Sequence, residues 1–240
     1  MDYQTFRIAK GSGKFRTIYK PSQKDKLQLK SLLPILEDLL KNLTSKQSSS
    51  YAFEKGKNCA LNALQHIGYK YTLSMDMCDF FDSINTTHLT GILPAALLNC
   101  CLIDGCLRQG LPTSPIISSI AFHKYDCKIQ DALNLLKIEA VYTRYADDLV
   151  FSFDDIHSAG KIKAIVNQIV GDGGFSINHT KTKLQDIRNG RIVITGIAVD
   201  RAGLHPTRRT MKKLRAARHQ ANARSIAGLT NWSKCRLPNI

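Results

Sequence analysis

Two adjacent acids, Asp147 and Asp148, stand between two runs of β-branched and aromatic residues in residues 141–153. The flanking runs predict two short strands, and the acids together with Ala146 predict the turn of a β-hairpin. Like charges on an ordered turn repel each other, so the pair requires a counter-charge. Hard carboxylate oxygens favour Mg²⁺ or Mn²⁺, and Mg²⁺ commonly binds carboxylates together with substrate phosphates. A solvated Asp-Asp turn is the structural alternative.

A third acid in a matching setting strengthens the metal hypothesis. Residues 71–76 predict a buried strand that ends in Asp76. Functional groups are commonly placed at the ends of strands. Asp79 and Asp82 follow, but an acid outside a strand is by default a helix cap or a turn residue. The sequence therefore predicts a site built from Asp76, Asp147 and Asp148.

The overall charge predicts a polyanionic partner. The 240 residues contain 34 Lys and Arg against 19 Asp and Glu, for a formal net charge of +15. With no apolar stretch long enough to span a bilayer, this balance favours nucleic acid over membrane. No signal peptide is visible at the start of the sequence. The seven cysteines form no C-x-x-C pair, which indicates reduced thiols rather than a zinc site. We therefore expect a cytoplasmic protein. Charge alone is equally compatible with a passive RNA-binding protein.

Hydrophobic periodicity and chain breakers predict the elements around the acids. We expect a basic hairpin at 6–20, strands at 175–183 and 191–199, and helices at 25–43 (interrupted at Pro34), 58–67, 85–98, 115–136, 159–170 and 207–223. Ser114 before Pro115 predicts a helix cap. Gln109-Gly110 suits close backbone approach to a ligand, although an ordinary loop explains it nearly as well. The cations of 207–223 suit a duplex backbone, with a solvated helix face as the alternative.

Taken together, these segments resemble the fingers and palm of reverse transcriptases. The sequence YADD at 145–148 resembles the YxDD box of the family, and Asp76 matches its first metal-binding Asp. Phe81 stands where the family carries the aromatic residue that screens the sugar 2′-hydroxyl. The resemblance implies that Asp76, Asp147 and Asp148 are catalytic residues that bind two Mg²⁺ ions, with Mn²⁺ as the alternative metal.

Further segments follow in the order of the family. Gln109 and Gly110 with Ser114-Pro115 resemble the QGxxxSP segment, which backs the templating base and the incoming nucleotide. Lys181 lies in a segment that resembles the lysine-bearing one after the palm helix. Arg16 resembles the finger arginine that grips the triphosphate, and Lys14 is a second candidate for the phosphates; a solvated strand edge is the alternative for both.

Within the family, the closest resemblance is to bacterial retron reverse transcriptases. The residues NALQH at 62–66 resemble a retron NAxxH segment, LPTSP at 111–115 fits the retron form of the QG box, and ITG at 194–196 resembles VTG. The resemblance implies that structured RNA is contacted by Asn62, His66, Thr195, Gly196, Arg208, Arg209, Lys212, Lys213 and Arg215. From the residues alone, His66 is by default a hydrogen-bonded structural histidine.

The resemblance implies an α+β right-hand polymerase fold. Its fingers would occupy 1–70, its palm 71–200, and a shortened, basic helical thumb 201–240. It further implies an RNA-directed DNA polymerase that takes deoxynucleoside triphosphates and copies part of a structured non-coding RNA into DNA branched from an RNA 2′-hydroxyl. A separate effector protein and a role in antiphage defence are implied as well. The alternatives are a group II intron-like or a diversity-generating reverse transcriptase, or a non-catalytic RNA-binding protein with a polymerase-like fold.

Overall fold

A four-stranded antiparallel sheet carries the acids. The computed structural model describes residues 1–11, 13–45 and 47–237. The strands are β1 Tyr3–Gly11, β2 Lys14–Pro21, β3 Tyr71–Met77, β4 Ala140–Tyr145, β5 Asp148–Phe153, β6 Ile177–Asp186, β7 Ile192–Ile194, β8 Ile197–Asp200 and β9 Gly203–Pro206. The large sheet has the order β4-β5-β3-β6, whereas β1-β2 and β7-β8-β9 form separate antiparallel sheets.

Helices cover the sheets and connect them. They are α1 Gln23–Ser31, α2 Leu33–Thr44, α3 Cys59–Leu64, α4 Phe80–Ser83, α5 Thr86–Leu89, α6 Ala95–Cys101, α7 Ser114–Leu135, α8 Ser158–Asp172, α9 Arg208–His219 and α10 Ala223–Ser233, with a short 3₁₀ helix at Ile187–Asn189. The mixture of helices and antiparallel sheet agrees with the predicted α+β class. No helix of the described residues has an apolar stretch long enough to traverse a bilayer.

The pleat of the large sheet separates packing from chemistry. Side chains alternate between the two faces of a strand, so Leu73 and Met75 of β3 point to one face and Asp76 to the other. Leu73, Met75 and their neighbours on β5 join the main apolar cluster, which includes residues of α7 and α8. The opposite face carries Asp76, Asp148 and Val150, and Val150 packs with β7 and β8 in a second cluster.

Two predicted elements are each two elements in the structure. The helix predicted at 85–98 is divided into α5 and α6, because Gly91 has a φ of 80° and Pro94 caps α6. The strand predicted at 191–199 is divided into β7 and β8, because Thr195 and Gly196 have φ angles of 46° and 81°. Two consecutive positive φ angles are those of a tight hairpin turn.

Three predicted boundaries were wrong. Asp148 is the first residue of β5 and lies outside the turn. Ser114 does not cap α7: Thr113 is the cap residue, and the Ser114 hydroxyl donates to the Arg108 carbonyl at 2.6 Å. The basic helix predicted at 207–223 ends at His219, and α10 follows after Ala221 with a φ of 50°. The hairpin at 6–20 and the break near Pro34 agree with the structure, and the strand predicted to end at Asp76 continues for one more residue, to Met77.

Gly110 joins the hairpin β1-β2 to the body of the fold. The backbone N–H of Tyr19 donates to the carbonyl of Gln109 at 2.8 Å. Gly110 has a φ of 110°, and a Cβ atom there would lie 2.2 Å from the Tyr19 carbonyl oxygen. The close approach that the Gln-Gly pair predicts therefore occurs, but the neighbour is a backbone strand.

Gly110→Ala should lower the free energy of unfolding by about 1–3 kcal/mol more than Gly68→Ala. Gly68 is the matched control, because its φ of 97° is also positive while nothing lies within 4 Å of its Cβ position. Chemical denaturation of both variants gives the comparison. Equal losses would show that the hairpin moves aside at no cost.

Candidate active site

The structure brings Asp76 and Asp148 directly opposite each other. They are Cα partners in the antiparallel pairing of β3 with β5, so both side chains lie on the same face of the sheet. Asp147 lies in the turn before β5, and its carbonyl accepts a hydrogen bond from the Met77 N–H at 3.0 Å. Acids that are 71 and 72 residues apart in sequence are thus neighbours at one end of the sheet.

Lys181 pairs with one of the three acids. Its Nζ atom lies 2.8 Å from Oδ2 of Asp76. In the pairing of β3 with β6, Ser74 lies opposite Lys183 and, after a register shift, Asp76 lies opposite Asn178. Lys181 lies between these two partners on β6, and its side chain reaches Asp76. Within the described residues, no three His, Cys, Asp or Glu side chains form a group with metal-binding spacing. The acids are therefore adjacent without converging on one point.

The site carries excess negative charge. Burial, followed by the charges of Asp147 and Asp76, raises the pKa of Asp148 to about 6, while Lys181 opposes the shift. The pKa of Asp147 is also raised, chiefly by burial and further by the charge of Asp76. A backbone hydrogen bond and the charges of Lys181 and Arg16 oppose part of this rise. A divalent cation would offset this repulsion, and an all-carboxylate donor set matches Mg²⁺ or Mn²⁺. The residues present therefore fit such an ion.

Arg16 lies close enough to the acids to affect them electrostatically. It is an exposed residue of β2, with Ile8 of β1 as its Cα partner. Its positive charge partly opposes the rise in the pKa of Asp147. The side chain of Lys14 lies outside the described part of the chain.

Phe81 is a half-buried residue of α4, directly after β3. Its ring centroid lies 5.7 Å from that of Phe80 and 6.3 Å from that of Phe53. Phe53 has a φ of 65°, a strained value for an aromatic residue, and its side chain is exposed. Phe53 was not predicted, because neither a periodic pattern nor a turn motif marks it in the sequence.

Asn62 and His66 are buried, so the prediction that they contact RNA was wrong. Asn62 is 0% exposed and His66 is 1% exposed. The two ring nitrogens of His66 lie 2.9 Å from the Ser152 hydroxyl and 2.7 Å from the Thr143 hydroxyl. Burial lowers the pKa of His66 to about 3, so the ring is neutral. His66 thus joins α3 to strands β4 and β5, as the structural alternative predicts.

The other residues proposed for RNA contact are accessible. Thr195 is partly exposed, and Gly196 is exposed beside the Trp232 ring. On α9, Thr210, Leu214 and Ala217 are buried. The exposed side of α9 carries Arg208, Arg209, Lys212, Lys213, Arg215 and Arg218. This helix therefore presents a basic surface, which suits a phosphate backbone.

Comparison with known proteins identifies the family. The family profile described as "Reverse transcriptase (RNA-dependent DNA polymerase)" matches residues 8–212. The retron Ec73 reverse transcriptase of Escherichia coli is 35% identical over 221 residues, covering 80% of this chain and 67% of that protein. The retron Ec86 reverse transcriptase of the same organism is 31% identical over 216 residues, covering 86% and 65%.

A solved structure shows the same fold at low sequence identity. Apo telomerase from Candida tropicalis, truncated from its C-terminal domain, aligns with a TM-score of 0.63 and 17% identity over 85% of this chain and 55% of the other. The chain spans 67% of the Ec73 and 65% of the Ec86 retron reverse transcriptase. Members of the reverse transcriptase family use divalent metal ions. The matching profile, the retron relatives and the right-hand polymerase fold together show that the chain belongs to the reverse transcriptase family, and within it to the retron type.

Proposed function

We propose that this chain is the RNA-directed DNA polymerase of a retron. The observation that carries the proposal is the cross-strand pair of Asp76 and Asp148 beside Asp147, in a site where burial and mutual repulsion raise the pKa of Asp148 to about 6. A binding protein that has lost catalysis gains nothing from three acids with excess charge inside a basic molecule. The similarity to retron reverse transcriptases supports the same conclusion.

The three acids are the residues that would hold the cations the reaction needs. Two Mg²⁺ ions bound there, or Mn²⁺ in their place, would lower the pKa of the attacking primer hydroxyl and neutralise the triphosphate and the leaving pyrophosphate. Asp76, Asp147 and Asp148 supply the carboxylate oxygens. Lys181 lies 2.8 Å from Asp76 and exchanges this partner for a phosphate or donates a proton to the pyrophosphate.

Residues around the acids select and orient the nucleotide. Arg16, with Lys14 from the same strand, binds the triphosphate from the hairpin β1-β2. Phe81 lies under the sugar and excludes a 2′-hydroxyl, and Phe80 and Phe53 support its ring. Gln109 and Gly110 back the nucleotide, with Gly110 itself packed on Tyr19.

The template is a structured non-coding RNA, to which the enzyme joins DNA through an RNA 2′-hydroxyl. The basic surface of α9 and the turn at Thr195 and Gly196 bind this RNA. Residues 1–70 act as fingers, 71–200 as palm and 201–240 as thumb. We place this activity in the bacterial cytoplasm, in antiphage defence with a separate effector protein. Sequencing the nucleic acid that copurifies with the chain tests this part: a branched RNA–DNA species supports it, and unrelated RNA alone contradicts it.

Asp147→Asn should abolish primer extension on an RNA template and leave RNA affinity within about twofold of that of the unaltered protein. The amide keeps the shape of the side chain but loses the charge that a cation requires. Asp172→Asn, an exposed residue at the end of α8, is the matched control and should be fully active. Polymerisation by Asp147→Asn at more than about a hundredth of the normal rate would remove Asp147 from the metal site.

Phe81→Ala should raise the incorporation of ribonucleotides relative to deoxynucleotides by at least about tenfold, because the space beneath the sugar opens. The ratio of kcat/KM for the two sugars, measured with one template, gives this value. Leu135→Ala is a control on the exposed end of α7, remote from the acids. Unchanged sugar selectivity in Phe81→Ala would assign the discrimination to another residue.

Asp148→Asn should increase the free energy of unfolding of the metal-free protein at pH 8. The folded pKa of Asp148 is about 6 against an ordinary value of 3.8, so the charged form is disfavoured in the folded state. The gain in unfolding free energy is fully present above about pH 6. It disappears as the pH falls below about 4, where Asp148 is protonated in both the folded and the unfolded state. The difference between these two pKa values sets an upper limit of about 3 kcal/mol on the gain in unfolding free energy. We expect a gain of about 1–2 kcal/mol. A gain that does not change with pH would contradict this origin.

A further inference from the structure

Arg144 is a buried cation that the proposed reaction does not use. Its side chain is 0% exposed, and its partner Asp126 on α7 is 3% exposed. Two parallel hydrogen bonds join them: Nε lies 2.9 Å from Oδ1 of Asp126, and Nη2 lies 2.8 Å from Oδ2. The Tyr142 hydroxyl also donates to Oδ1 of Asp126, at 2.7 Å. The pair therefore has the bidentate geometry that makes a guanidinium rigid.

The third nitrogen of the guanidinium reaches the acidic turn. Nη1 of Arg144 donates to the carbonyl of Ala146 at 3.1 Å. Ala146 has a φ of 57°, a left-handed conformation that is costly for any residue except glycine. Arg144 thus connects α7 to the residue whose conformation directs the chain into Asp147.

The backbone of Arg144 is fixed as well. Its N–H donates to the Ser49 carbonyl at 2.7 Å, and its carbonyl accepts from the Tyr51 N–H at 2.8 Å. The guanidinium carbon also lies 4.9 Å from the Phe122 ring centroid. The strand before the turn is therefore held on both sides, and this leaves the guanidinium little freedom to reorient.

Stability alone does not account for this arrangement. A buried ion pair must overcome the desolvation of both charges, and apolar side chains of similar volume often stabilise a core equally well. Apolar side chains, however, cannot donate a hydrogen bond to the Ala146 carbonyl. The feature that an apolar core would lack is the contact with the acidic turn.

We propose that Arg144, locked by Asp126, is a positioning residue that holds the Ala146 carbonyl and thereby fixes the turn that carries Asp147. The role in catalysis rests on the proposed function, whereas the effect on the turn does not. Arg144 touches neither substrate nor metal in this assignment. It sets the conformation from which Asp147 acts.

The test uses the double variant Arg144→Met with Asp126→Asn in the full chain. The pair is then neutral, retains its volume, and keeps an acceptor for the Tyr142 hydroxyl. We expect cooperative unfolding, amide hydrogen exchange about tenfold faster in a peptide spanning 145–149, and Mn²⁺ binding about tenfold weaker by electron paramagnetic resonance. In primer extension, kcat should fall by at least about tenfold, while KM for the nucleotide changes by less than about threefold.

A matched control removes the Arg191–Asp200 ion pair, in which Nε lies 2.9 Å from Oδ2, by Arg191→Met with Asp200→Asn. This variant should leave hydrogen exchange in 145–149, Mn²⁺ affinity and kcat unchanged. Arg144→Lys should resemble the double variant, because an ammonium that pairs with Asp126 lacks the fork that also reaches Ala146. It also decides the question if the double variant does not fold.

The outcomes separate the two proposals. Hydrogen exchange and Mn²⁺ affinity that stay normal in folded Arg144→Met/Asp126→Asn, or in Arg144→Lys, overturn the positioning role. Absence of polymerase activity in the unaltered protein would instead refute the proposed function. In that case hydrogen exchange in 145–149 still decides whether Arg144 fixes the turn.

Discussion

Three carboxylates that repel one another lie at one end of a sheet, and the surrounding elements must hold them there. The β3-β5 register puts Asp76 and Asp148 opposite each other, and the turn adds Asp147. Burial, followed by the charges of Asp147 and Asp76, raises the pKa of Asp148. Lys181 offsets part of this rise, and Arg144 holds the turn from the opposite side of the sheet. The fold thus keeps an unfavourable charge arrangement in place.

The alternation of side chains along β3 makes this possible. One face of the strand packs Leu73 and Met75 against the helices. This apolar burial stabilises the sheet that carries the acids. The other face supports the acids with polar contacts farther along the strands. There His66 bridges two hydroxyls, which fixes α3 behind the hairpin without adding a charge. Rigid support behind a charged site is what electrostatic catalysis requires.

The contrast between Asp76 and His66 shows how far sequence patterns extend. Asp76 ends an apolar strand, and this local signal was sufficient to pair it with the later acids. For His66, the resemblance to the retron motif predicted RNA contact, whereas a single histidine on a helix is by default a hydrogen-bonded structural residue. Its burial shows that the structural role is correct. Gly110 illustrates an intermediate case, because the close approach was predictable from Gln-Gly but its neighbour Tyr19 was not. A motif records which residues recur together, and it carries no information on burial.

The strands around the acids, the basic hairpin, the excess of positive charge and the family resemblance were all predictable from the residues alone. These depend on neighbours within a few residues or on totals over the chain. Three features became known only from the folded chain: Lys181 pairs with Asp76, Arg144 reaches Asp126, and α9 and α10 are separate helices. The two ion pairs join residues that lie 105 and 18 positions apart. Such contacts are set by strand register and helix packing, which no local pattern encodes.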